Sequence, residues 1–237
     1  MLANSSWRVL CLFLVFACFA LCTVALPYNF QMTNPTYWPQ AIAELSQGDP
    51  VMAAMIQRFD QLSLVSRGDA FATLARSIVG QQISVKAADA VWARFVERVQ
   101  EVCPDIILEQ GAAGLDGCGL SRRKIEYVCD LAAHFSSGRL NPETWGALDD
   151  ERLIAELTTV RGIGRWTAEM FLIFNQLRPD VFPLDDIGLQ RAVFEKYFAG
   201  EKQTRKVLAE FGERWRPWRS VATCFLWRSL DPVPVAY

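Results

Sequence analysis

The sequence predicts an all-α fold. Three observations predict it. Apolar residues recur at helical spacing along most of the chain after Met32, polar capping residues stand before those runs, and no convincing alternating strand occurs. The 237 residues are 51% hydrophobic, enough for a true core in one or two domains.

The first start signal is Asp49-Pro50, a cap followed by a first-turn proline, ahead of Val51-Met52-Ala53-Ala54-Met55-Ile56. Phe71, Leu74, Ala75, Ile78 and Val79 mark the next apolar stripe. Ser84 is placed to cap a helix that buries Val91, Trp92, Phe95 and Val99. Four glycines between Gly111 and Gly119 predict a loop. Ser121 then opens a helix through Ile125, Val128, Leu131 and Ala132, and Asn141-Pro142-Glu143 opens another. Asp149 caps the next, with Leu148 and Leu153 spaced as a hydrophobic staple. The sum is roughly ten helices joined by short loops.

Composition narrows the function. With 24 Lys and Arg against 26 Asp and Glu, the chain has no general affinity for nucleic acid, so any grip on DNA must be local. The single histidine, His134, excludes a multi-histidine metal site and reads as a structural residue in a helical run. The seven cysteines show no C-x-x-C spacing and read as free thiols of a reduced compartment.

The N-terminus conflicts with that reading. Val9 to Leu26 is an uncharged apolar run after Arg8, borderline for a membrane span and loosely like a secretory signal. Met32 opens a run of different character. The expectation is a mis-assigned start, with residues 1–31 outside the working protein and the product cytoplasmic. Export or membrane anchoring is the alternative that the leader alone supports.

The strongest motif is Leu157-Thr158-Thr159-Val160-Arg161-Gly162-Ile163-Gly164-Arg165-Trp166-Thr167-Ala168. A helix from about Asp150 to Thr158 runs into Gly-Ile-Gly, and a second continues through Met170, Phe171, Ile173 and Phe174. Gly162 and Gly164 permit positive φ and expose backbone N–H groups, while Ile163 is suited to tuck between the helices. Free N–H groups at the second helix start suit a phosphate, a grip that needs no base sequence. The bland reading is a plain helix-turn-helix corner.

Next comes Val181-Phe182-Pro183-Leu184-Asp185-Asp186-Ile187-Gly188. Either aspartate reads first as a helix cap, but capping and catalysis are compatible because the helix dipole favours negative charge there. Trp and Arg then interleave from Glu213 to Ser220 and on to Trp227-Arg228, the most basic part of the chain. Core tryptophans are one reading; an aromatic wall beside a phosphate-facing surface is the other.

Taken together these residues resemble the helix-hairpin-helix DNA glycosylases, the bacterial 3-methyladenine DNA glycosylase II branch above all. The resemblance spans roughly Pro35 to Trp227. It rests on Val79-Gly80-Gln81-Gln82-Ile83-Ser84, Gly119-Leu120-Ser121-Arg122-Arg123-Lys124, the hairpin, Pro183-Leu184-Asp185-Asp186 and Arg216-Pro217-Trp218-Arg219-Ser220. It implies two helical subdomains flanking a DNA-binding and base-binding cleft. Residues of about 67–185 form the core, and 32–66 with 186–237 form the second subdomain.

The resemblance also implies roles. Asp186 is the catalytic carboxylate; Trp166, Trp227 and Met170 line the base pocket. Gln82 is a DNA-binding residue standing where the family often places a DNA-wedging side chain, with Gly162, Gly164, Arg165, Thr167 and Arg219 on the backbone. The carbonyls of Thr158, Val160 and Gly162 would hold a sodium or potassium ion. Two departures narrow the chemistry. Trp166 stands where strand-cleaving members carry a Schiff-base lysine, so lyase activity is not expected. Only Cys224 lies where some members place four cluster cysteines, so no iron–sulfur cluster is expected. The implied activity is release of alkylated bases from damaged duplex DNA by a monomer. A noncatalytic DNA-binding protein and a glycosylase for other damaged bases are the alternatives.

Overall fold

Polar caps begin most of the helices. The computed structural model describes residues 34–230; the leader, and every expectation placed on it, lies outside them. Among the described residues the chain forms eleven α-helices and two short 3₁₀ turns, with no strand. They are α1 (Trp38–Gly48), α2 (Pro50–Arg58), α3 (Ala70–Gly80), α4 (Val85–Val99), α5 (Pro104–Gly114), α6 (Arg122–Ser136), α7 (Asp150–Leu157), α8 (Arg165–Phe174), α9 (Ile187–Tyr197), α10 (Arg205–Gly212) and α11 (Arg219–Leu230). Asp49, Asp69, Ser84, Ser121, Asp149, Asp186 and Thr204 each accept a backbone N–H from the turn that follows.

Two expectations need correction. The glycine-rich stretch is not all loop, because α5 continues to Gly114 after a break at Gly111 (φ 58°, ψ −171°). The glycine supplies a backbone conformation that other residues avoid, and the chain then re-enters one helical turn. Asn141-Pro142 starts only a 3₁₀ turn, Pro142–Ala147, in which Asn141 caps Glu143.

Helix packing falls into two groups. In one, α3 packs on α4, α6 and α8; α5 packs on α4 and α6; and α7 packs on α8. In the other, α11 packs on α1, α2 and α9. Helix α11 is buried from Ser220 to Leu226, which explains why its sequence shows no polar face. Among the described residues no helix is long and apolar enough to cross a membrane.

Asp49 ties the second group together. Its Oδ1 caps α2 through Val51 N (2.9 Å) and Met52 N (3.0 Å). Its Oδ2 accepts the Tyr197 hydroxyl (2.9 Å) and the Trp215 indole N–H (3.0 Å). The carboxylate is buried, and burial together with its charge pushes the Tyr197 phenol well above its ordinary range.

Candidate active site

The hairpin is α7, the turn Thr158 to Gly164, and α8. Ile163 is buried beneath the turn, and its N–H closes onto the Val160 carbonyl (3.1 Å). Gly162 has φ +88°, and a Cβ there would sit 2.2 Å from the Tyr127 ring. Gly164 differs from the expectation: it has φ −91° and ψ 173°, and a Cβ there would meet nothing within 4 Å. Gly162 therefore serves the turn, and Gly164 leaves open space before α8. No side chain caps α8, so its first N–H groups have no side-chain partner at a helix start where Gly164, Arg165 and Trp166 are exposed. Gly162→Ala is expected to destabilise the protein by more than about 1 kcal/mol. Gly164→Ala, with open space around the new Cβ but at the N-cap of α8, is expected to cost less, about 0.5–1 kcal/mol. Denaturant unfolding of both variants checks this, and equal losses would contradict the assignment.

Helix α6 seats the hairpin. Asp130 accepts the Arg161 backbone N–H (2.9 Å) and lies 3.3 Å from its guanidinium. His134 is buried, and its Nδ1 is 2.8 Å from the Asp130 carbonyl oxygen, a structural position.

Asp186 caps α9 and joins two indoles. Its Oδ1 accepts Leu189 N (2.6 Å) and Trp227 Nε1 (2.8 Å), and its Oδ2 accepts Trp166 Nε1 (2.9 Å). Trp166 comes from the first turn of α8 and Trp227 from the last turns of α11, so the carboxylate sits where three helices converge. Trp227 stacks on Phe174 (5.8 Å, 17°), and the Arg67 guanidinium lies 4.5 Å from the Phe174 ring centre. Burial, with Arg76 nearby, draws Arg67 down to about 10. Trp166 is 40% exposed, a large aromatic surface left beside the carboxylate. The neighbouring Asp185 is exposed and turned to Arg205 (3.0 Å), whose hydrogen bond holds it below its ordinary range. Of the two adjacent aspartates, geometry thus selects Asp186.

Other candidate residues fall elsewhere. Met170 is buried one turn beyond Trp166, and Thr167 is buried as well. Arg165 is exposed but engaged, donating to Glu151 (2.9 Å) on α7 and to Glu169 (3.0 Å) on α8. It closes the two hairpin helices together. Burial raises the Glu169 carboxyl despite that arginine. Arg219 is largely covered and bonded to Asp180 (2.6 Å) and Glu213 (3.1 Å). Arg216 turns to the same two carboxylates, while Trp215 and Trp218 are buried. From Glu213 to Ser220 the Trp–Arg stretch is interior packing, with Arg216 and Arg219 paired to Asp180 and Glu213, whereas Trp227 stands at Asp186. Gln82 is exposed at the tip between α3 and α4, with φ +61°. Sequence reasoning did not single out Phe174 as a backing ring, nor Gln81 and Lys124 as contacts of that tip.

Comparison with known proteins finds relatives of this chain. The model of the HhH-GPD superfamily of base excision DNA repair proteins matches residues 75–217. DNA-3-methyladenine glycosylase 1 of Schizosaccharomyces pombe is 31% identical over 169 residues, 70% of this chain and 74% of that protein. A Bacillus subtilis DNA-3-methyladenine glycosylase is 28% identical over 79% of this chain, which spans only 66% of that relative's length. The solved structure of the Schizosaccharomyces pombe 3-methyladenine DNA glycosylase with abasic DNA superposes with a TM-score of 0.69 at 28% identity. That match covers 80% of this chain and 96% of the other.

Proposed function

Since this chain belongs to the HhH-GPD superfamily of base excision DNA repair proteins, we propose that it hydrolyses the N-glycosidic bond of alkylated bases in duplex DNA. The observation that carries the proposal is Asp186, a carboxylate at a helix start gripped by the indole N–H groups of Trp166 and Trp227. Alkylation at a ring nitrogen, as in 3-methyladenine or 7-methylguanine, makes the base cationic and a good leaving group. The exposed face of Trp166 suits such a base once it is flipped from the duplex, with cation–π attraction of about 0.5–2 kcal/mol. As the glycosidic bond breaks, positive charge develops on the sugar. Asp186 stabilises that charge and orients or deprotonates the attacking water. The uncapped start of α8 binds a backbone phosphate.

The reading is monofunctional, because Trp166 offers no amine to form a Schiff base. It requires no iron–sulfur cluster, since only Cys224 lies where some members place four cluster cysteines. An alkali cation at the carbonyls of Thr158, Val160 and Gly162 fits a hard-oxygen set. Val160 and Gly162 each accept one hydrogen bond, from Ile163 N and Gln81 Nε2, and each carbonyl keeps a second lone pair. Such an ion would add positive charge where the phosphate docks. The proposal is of a monomer acting in the cytoplasm.

The test is to incubate the purified protein with methylated duplex DNA and identify the products. Free 3-methyladenine or 7-methylguanine is expected, with strand breaks only after alkaline treatment. No released base would refute the proposal, and breaks without alkali would refute its monofunctional part.

A further inference from the structure

Two exposed elements meet: the hairpin turn and the tip at Gln82. The tip is strained, since Gln82 carries a side chain at φ +61°, and its neighbours Ile83 and Val85 are 41% and 46% exposed. Something must hold it. Lys124 does so from the first turn of α6, donating from Nζ to the carbonyls of Val79 (2.8 Å) and Gln81 (2.7 Å). A lysine in the first turn opposes the dipole of its own helix. Here its ammonium instead serves the end of α3, where carbonyls lack helical partners. Burial draws it below its ordinary range, so the contact is partly desolvated.

The brace continues to the hairpin. Gln81 donates its side-chain amide to the Gly162 carbonyl (2.7 Å), linking the residue before Gln82 to the turn glycine. The same helix seats that turn. Lys124, Tyr127 and Asp130 recur every three residues along α6, and they touch the tip, Gly162 and Arg161 respectively. One helix face thus fixes both elements.

We infer that Lys124 is a positioning residue that, with Gln81, locks the DNA-inserting tip to the hairpin so that wedge and backbone grip act as one rigid unit. The inference rests on the proposed function and on the wedge position that the resemblance gives Gln82, from which it would enter the duplex. Its consequence is specific. Loss of the brace should matter most where a paired base must be forced out, since unstacking and unpairing are unfavourable and least so at mismatches.

The experiment reads tip insertion without chemistry. Parent, Lys124→Met, Lys124→Arg and Gln81→Leu proteins are bound to duplex DNA carrying 2-aminopurine beside an abasic site. The parent and Lys124→Arg are expected to change the fluorescence alike, because arginine also donates to two carbonyls. Lys124→Met and Gln81→Leu are expected to lose most of the change while DNA is saturated. In single-turnover base release, Lys124→Met should lose about tenfold on a paired lesion and much less on the same lesion in a mismatch. Gln81→Leu replaces a half-buried side chain and keeps the test open if Lys124→Met does not fold. Equal fluorescence in all four proteins overturns the inference, as does an equal loss on paired and mispaired lesions. A parent that inserts but releases no base would instead overturn the proposed function and leave the brace standing.

Discussion

Asp186→Asn is expected to lower single-turnover base release from methylated duplex DNA at least about a hundredfold, the scale of losing one preorganised electrostatic contact. Binding of abasic duplex should change little, since the hairpin is untouched. Donors and acceptors decide the outcome. Three N–H groups converge on the carboxylate, two on Oδ1 and one on Oδ2. An asparagine can place its oxygen at the Oδ1 position and keep the α9 cap, for which it ranks with aspartate. Its NH₂ group then faces the Trp166 N–H, donor against donor. The variant should fold as the parent does, but it lacks the charge that meets the cationic sugar and it releases the Trp166 indole. Unimpaired release would remove Asp186 from the mechanism; impaired release with equally impaired abasic-site binding would point to a fold defect.

The second large effect concerns stability. Asp49→Ala is expected to cost about 3–5 kcal/mol, from a lost cap, a buried Trp215 N–H left unpaired and a half-buried Tyr197 hydroxyl that loses its acceptor. Asp49→Asn should fall between. Its oxygen keeps Val51 and Met52, and its amide can donate to a rotated Tyr197 hydroxyl, but it opposes the Trp215 N–H. Urea midpoints should rank parent above Asn above Ala. An Ala variant within about 1 kcal/mol of the parent would show that Asp49 is only a helix cap.

These two aspartates mark what the sequence could and could not disclose. Caps are local chemistry, so Asp49, Ser84, Ser121, Asp149 and Asp186 were legible from the residues beside them. The partners that make Asp49 a hub lie 148 and 166 positions away, beyond the reach of any spacing rule. Lys124 stood in a recognisable segment, yet its acceptors are 43 and 45 residues earlier. Arg219 looked available to DNA because its neutralising partner, Asp180, is 39 residues back. The hairpin was legible because its glycines, buried isoleucine and flanking stripes are contiguous. Even so, only the folded neighbourhood of Tyr127 separates the glycine that must remain glycine from the one that leaves room.

The seat that α6 provides has a mechanical corollary. If the inserting loop and the phosphate grip cannot move apart, strain on engagement passes into the nucleic acid, and the flexibility of each base step helps decide how readily a lesion is presented. Local duplex softness then becomes part of recognition, a dependence on the surrounding letters that needs no contact with them.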